Sequence, residues 1–136
     1  MKRLFISLCL VCFSFLVFGQ ADSVVIRSIY FGPGSYHVDE EQTIELFQLM
    51  DNIGNLEMFQ ISITSHTDNI GGVAYNQWLS NMRSDAVIQK LLLKGIPTDQ
   101  IHKKDFGQHN PLYSNSSWKG RMKNRRVDII FSPMLF

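Results

Sequence analysis

The densest group of reactive side chains in this 136-residue chain is the run Ser65-His66-Thr67-Asp68-Asn69-Ile70-Gly71-Gly72. It follows an alternating segment, Phe59 to Ser65, and precedes a long one, Val73 to Gly95, that carries Arg83. An Asp just past a strand end lies where loops converge and where ligands collect in α/β sheets. Asn76, Ser80, Arg83 and Val87 are separated by four, three and four positions, so on a helix they form one row. That row runs beside Leu79 and Met82, along the edge of the apolar face, and can bring Arg83 back toward Asp68. An acid and a base on opposite walls of a small cleft suit a zwitterion. The carboxylate takes an ammonium, and the planar guanidinium forks onto a carboxylate. A plainer reading uses the same residues: Asp68 bonds the amides of its own turn, and Arg83 makes a surface ion pair worth ~0–1 kcal/mol. The residue types leave both readings open.

Other chemistries find less support. His66 and Asp68 offer two metal ligands, but no third lies at metal-site spacing. No Ser sits in a Gly-x-Ser-x-Gly elbow and no two carboxylates are paired as in a hydrolase. His37, His102 and His109 are scattered. The expectation is a protein without metal, cofactor or catalysis. Lys119, Arg121, Lys123, Arg125 and Arg126 form the one local charge asymmetry, but without interleaved aromatics they do not point to nucleic acid.

Holding Asp68 opposite Arg83 requires strands that end on one side of a sheet. Ser23 to Phe31 is β-branched and aromatic and predicts a first strand, broken by Gly32-Pro33-Gly34-Ser35. Asp39, with Gln42 three residues on, caps a first helix whose expected buried stripe is Ile44, Phe47, Met50 and Ile53, ending at Gly54. Phe59, Ile61 and Ile63 alternate with polar residues in a second strand. Tyr75, Leu79, Met82 and Ala86, widened by Val87, Leu91 and Leu92, form the expected apolar face of a second helix, stopped by Gly95 and Pro97. Ile101 to Phe106 predicts a third strand, Gly107 to Ser117 a polar loop, and Val127, Ile129 and Phe131 a last strand. The order β-α-β-α-β-loop-β implies an α/β two-layer sandwich. One mixed sheet carries helices packed on one face, and the last strand adds antiparallel.

The chain starts differently. Lys2 and Arg3, an apolar run from Leu4 to Phe18 and then Gly19 have the layout of a secretory signal cut close to Gln20. The expected organisation is a signal peptide over 1–19 and a single domain over 20–136. Both cysteines, Cys9 and Cys12, fall in the signal, so the exported part carries no disulfide. Without Lys2 and Arg3 the 13 basic residues become 11, against 12 acidic ones, so net charge draws the chain neither to nucleic acid nor to anionic membrane.

Five motifs in order then become recognisable: HTDNIG at 66–71, Asn76 with LSNMRSDAV at 79–87, KGIP at 94–97, FGQHNP at 106–111 and RMKNRRVDI at 121–129. With IYFGPGSYHV at 29–38, they resemble the OmpA-like C-terminal domain across residues 24–132. That peptidoglycan-binding module also occurs in peptidoglycan-associated lipoproteins and flagellar-motor stator proteins. The resemblance implies non-covalent, non-enzymatic binding of the diaminopimelate side chain of cell-wall stem peptides. It assigns the ligand's amino group to Asp68 and its carboxylate to Arg83. Asn76 and Arg125 match further ligand-contacting positions, and the backbone around Thr67, Asn69 and Ile70 is expected to line the pocket. It further implies a periplasmic protein at the outer membrane or wall, with peptidoglycan and an envelope complex as partners, and no nucleic acid. The alternative is a protein-interaction module on the same fold with a degenerate pocket. The chain departs from the family pattern at Ser65 and Asp105, where Gly is usual, at Ser84, where Ala is common, and at Gly34, often Asp or Asn.

Overall fold

The computed structural model describes residues 23–135. The expected signal peptide over 1–19 lies outside them. Four strands and three helices follow in the order β1 (Val25–Tyr30), α1 (Glu40–Ile53), β2 (Phe59–His66), α2 (Val73–Leu93), β3 (Ile101–Asp105), α3 (Trp118–Asn124) and β4 (Arg126–Pro133). The sheet order is β1-β4-β2-β3. β4 is antiparallel to both β1 and β2, whereas β2 and β3 are parallel. The last strand therefore inserts between two earlier ones instead of adding at an edge. Its inward residues Val127, Ile129 and Phe131 are fully buried, because helices cover that face of the sheet. Leu46 and Met50 of α1 and Val87 and Leu91 of α2 pack on that same face.

Both long helices differ from expectation in which residues they bury. In α1, Leu46 and Met50 are buried, while Ile44 is 49% exposed. Residues three apart lag about 60° per step on a helix of 3.6 residues per turn, so a stripe of strict threes drifts off the core. In α2, Asn76, Ser80, Arg83 and Ser84 are fully buried, but Tyr75 is 42% exposed. The polar row is the buried face itself and not its edge. It is tolerated because this end of α2 covers loops whose backbone groups need partners.

α1 starts at Asp39, whose carboxylate accepts from the Gln42 N–H at 2.8 Å. The Gln42 side chain answers this bond, donating from Nε2 to the other Asp39 carboxylate oxygen at 2.7 Å. It also bonds both backbone groups of Tyr30, accepting from N–H at 2.7 Å and donating to the carbonyl at 3.0 Å, and so ties α1 to edge strand β1. α3 was hidden in the sequence because its residues carry no apolar period. Ser117 caps it, accepting from the Gly120 N–H at 3.0 Å. Gly120 is obligatory there, since a Cβ would lie 1.7 Å from the Ser114 carbonyl oxygen.

Three of the four departures from the family pattern meet in space. The Asp105 carboxylate accepts from the Ser65 hydroxyl at 2.8 Å and from the Ser84 hydroxyl, and also from Asn81 Nδ2 at 3.1 Å. One polar cluster thus joins β2, α2 and β3 where smaller residues are usual. Ser84→Ala or Asp105→Ala should each cost about 1–3 kcal/mol, because each leaves a shielded polar group without its partner. The double variant should lose less than the two single losses together. Urea unfolding of the four proteins measures this, and strict additivity would mean that the side chains act independently.

Candidate functional site

The loops after β1 and β2, the first turns of α2, and α3 with Arg125 converge outside one end of the sheet. They enclose a cleft of about 310 Å³ lined by Pro33, Gly34, Asp68, Ile70, Gly71, Tyr75, Leu79, Arg83, Trp118, Arg121 and Arg125. Three guanidinium groups and one carboxylate give the lining an excess of two positive charges, which favours a ligand with more anionic than cationic groups.

Arg83 forms the floor and has no exposed surface. Its Nε donates to the Ser35 carbonyl at 2.8 Å, Nη1 to the His66 carbonyl at 3.2 Å and Nη2 to the Gly32 carbonyl at 3.1 Å. The Phe31 ring lies against it, 5.1 Å from Cζ to centroid. Of about five guanidinium N–H donors, one on each terminal nitrogen is then left for another acceptor. Burial lowers the Arg83 pKa to about 10, opposed by the Asp68 charge and reinforced by that of Arg125. The group stays cationic at neutral pH.

Asp68 is also buried, and its nearest charged partner is Arg125. Oδ2 accepts from Arg125 Nη1 at 3.2 Å, and Oδ1 from the Ile70 N–H at 3.0 Å. Arg125 is held in turn by its Nε bond to the Phe31 carbonyl at 3.0 Å. A carboxylate offers about four lone-pair sites, so Asp68 has room for a further donor. The turn amide of the plainer reading is thus present, but the ion pair belongs to Arg125, and Arg83 bonds backbone carbonyls inside the cleft instead of making a surface pair.

The structure brings Asp68, Arg83, Arg125 and Ile70 to the cleft. It sets Asn76, Thr67 and Asn69 outside its lining. Asn76 is fully buried and donates from Nδ2 to Gln108 Oε1 at 2.9 Å. Thr67 turns its hydroxyl to the Asp68 carbonyl at 2.8 Å, and its N–H bonds the Gly107 carbonyl at 2.8 Å. Asn69 points to solvent. Sequence reasoning missed Tyr75, Trp118 and Arg121 as lining residues. A signal for Tyr75 existed in Gly71, four positions earlier: with φ +105° it has a backbone that favours glycine, and a Cβ there would come 2.7 Å from the Tyr75 ring. The Tyr75 hydroxyl also stands 3.3 Å from where a Gly34 side chain would begin, placing a polar group where the family often has Asp or Asn.

His66 faces away from metal chemistry. Its ring stacks on Phe106, with centroids 5.2 Å apart and planes 7° from parallel. Among the described residues no three His, Cys, Asp or Glu side chains stand close enough to hold a metal ion.

The protein is thus an open α/β sheet with a charged cleft at one end, and the comparisons place it among known proteins. The OmpA family profile matches residues 30–125, so the chain belongs to the OmpA family. It is 36% identical over 74 residues to the Escherichia coli (strain K12) protein named "Probable lipoprotein YiaD", covering 54% of this chain and 34% of that one. It is 37% identical over 86 residues to outer membrane protein A of Bordetella avium, covering 60% of this chain and 44% of that one. The chain therefore spans less than half the length of these relatives. Its fold matches the crystal structure of the peptidoglycan-associated lipoprotein from Burkholderia pseudomallei. The TM-score is 0.72 and identity 28%, over 78% of this chain and 90% of that one.

His66 supplies a pH test of the floor, because its carbonyl holds Arg83. Burial lowers its pKa below 6.5, Arg126 adds to this, and Asp128 opposes it. The unfolded chain then binds the proton more readily than the folded one. Stability should fall as pH drops through about 6.5 and level off below the folded-state pKa. Thermal midpoints from about pH 7.5 to about pH 5 should show this slope, and His66→Gln should flatten it. An unchanged slope would assign the acid sensitivity elsewhere.

Proposed function

We propose that this chain is an exported, non-catalytic module that binds peptidoglycan without covalent chemistry, through the diaminopimelate of the stem peptide, and tethers the outer envelope to the wall. The observation that carries the reading is one buried carboxylate and three guanidinium groups around a single cleft. Asp68 has lone pairs left for the ligand's ammonium. Arg83 has one free N–H on each terminal nitrogen for its carboxylate, with Arg125 and Arg121 adding positive charge. Membership of the OmpA family and likeness to a peptidoglycan-associated lipoprotein support the choice of ligand. A binding role needs no nucleophile or metal, and the cleft lining contains no Ser, Cys or His.

One observation favours a second reading, an interaction module on the same fold with a degenerate pocket. Arg83 is fully covered and Asp68 is already paired. Changing the ligand separates the two readings and leaves the protein intact. A soluble stem peptide with free meso-diaminopimelate should bind at least about tenfold more tightly than one with that carboxylate amidated or its amine acetylated, since unpairing a desolvated charge costs ~2–5 kcal/mol. Asp68→Asn should reproduce the loss seen on acetylation. Equal binding of all three peptides, measured by calorimetry, would leave only the interaction module.

We also propose that residues 1–19 are a cleaved signal and that 20–136 act as one domain in the periplasm, at the outer membrane or wall. Mass spectrometry of the envelope fraction should then place the N-terminus within about two residues of Gln20. Intact Met1 there would mean an anchored form instead.

A further inference from the structure

Beside the charged cleft stands a set of aromatic rings that the ion-binding chemistry does not use. Tyr75 and Trp78 lie three apart on α2 and so share a side of the helix, while Tyr36 comes from the loop between β1 and α1. Their centroids are 5.7 Å apart from Tyr75 to Trp78 and 5.9 Å from Trp78 to Tyr36, in tilted and edge-on contact. Each keeps between 42% and 48% of its surface exposed. Single exposed aromatics are common on soluble domains, but three linked through the central Trp78 make a continuous patch of the kind that marks a binding surface. Tyr75 belongs to both features: it lines the cleft and begins the shelf.

We infer that the shelf formed by Tyr75, Trp78 and Tyr36 is a sugar subsite, on which the N-acetylated pyranose rings of the wall glycan stack. The inference rests on the wall-binding reading of the cleft and names a second part of the same ligand. A pyranose presents axial C–H groups on one face and hydroxyls around its edge. The C–H face packs on the electron-rich face of an aromatic ring, while phenol and indole edges serve the hydroxyls and the acetamide. In peptidoglycan every stem peptide hangs from such a sugar. A ligand seated by its charges in the cleft therefore places a pyranose within reach of the adjoining surface, which begins at Tyr75. A lipid surface fits less well. Membrane-seated faces combine aliphatic bulk with a Lys- or Arg-rich polar side, whereas here the cations of this region point into the cleft.

Trp78 and Trp118 are the only two tryptophans in the chain, so one substitution isolates the probe. In the full exported chain carrying Trp118→Phe, a chitin tetrasaccharide, which has no peptide, should change Trp78 emission saturably. In an otherwise unaltered chain, Trp78→Ala should weaken binding of a disaccharide-bearing stem peptide by about tenfold, in line with the loss of one stacked ring. It should leave the bare stem peptide unchanged, and Trp78→Phe should keep most of the affinity for both. The inference is overturned if the tetrasaccharide leaves emission unchanged, or if Trp78→Ala weakens both peptides equally, which is what a purely structural ring would do. It is also overturned if Trp78→Ala abolishes binding to vesicles of anionic phospholipid and alters no sugar binding, since the shelf would then face a membrane. A saturable tetrasaccharide signal in a protein that binds no stem peptide would uphold the shelf and remove the cleft reading.

Discussion

A guanidinium group with no exposed surface sits under the charged cleft, and the upper half of the molecule is arranged to make that tolerable. Taking an isolated charge out of water costs several kcal/mol, so a buried Arg persists only where its donors are matched. Arg83 is matched by three backbone carbonyls, Gly32 and Ser35 in the loop after β1 and His66 at the last residue of β2. The Ser35 and Gly32 carbonyls lie in a loop, which lacks the ladder that satisfies strands, although Gly32 also accepts from the Ser35 N–H at 3.2 Å. One side chain of α2 thus fixes the height of the helix over the sheet and the course of both loops that wall the cleft. The same bonds orient the donors that remain for a ligand.

The second constraint is the position of β4. By inserting between β1 and β2, this strand carries Arg125 and Arg126 to the cleft end of the sheet from the far end of the sequence. Arg125 turns inward to Asp68 and the Phe31 carbonyl. Arg126 turns to the opposite face, where its Nε meets both oxygens of Asp128 at 3.1 Å. Two adjacent arginines therefore do different work, one in the cleft and one locking the back of the sheet. The alternation of side chains along an extended chain decides which is which.

Affinity at such a site is a contest between pairs already made and pairs on offer. Asp68 and Arg125 hold each other in the absence of ligand, which keeps two buried charges compensated. A ligand must add to this pair and not replace it, because breaking a buried pair without substitution leaves an orphan charge. The proposed zwitterionic ligand meets that condition, since each of its ends brings its own counter-charge.

Local pattern was enough for part of this. Alternation at Phe59 to Ile63 and Val127 to Phe131, and the breakers at Gly54 and Gly95, defined strands and helix ends, because short-range sterics and burial act within a few residues. Asp68 of the Thr-Asp turn and the helix Arg83 were also legible as charged residues brought to one cleft, and the ordered motifs carried the family. Pairing was not legible. That Asp68 meets Arg125 across 57 positions, that Asp105 gathers Ser65 and Ser84, and that Tyr75 supplies a hydroxyl beside Gly34 all depend on strand order and helix height. The burial of Asn76, Ser80 and Arg83 could not be read either, since hydropathy assigns polar residues to water. What buries them is the supply of carbonyls and side-chain partners from distant loops, and that supply exists only once the chain has folded.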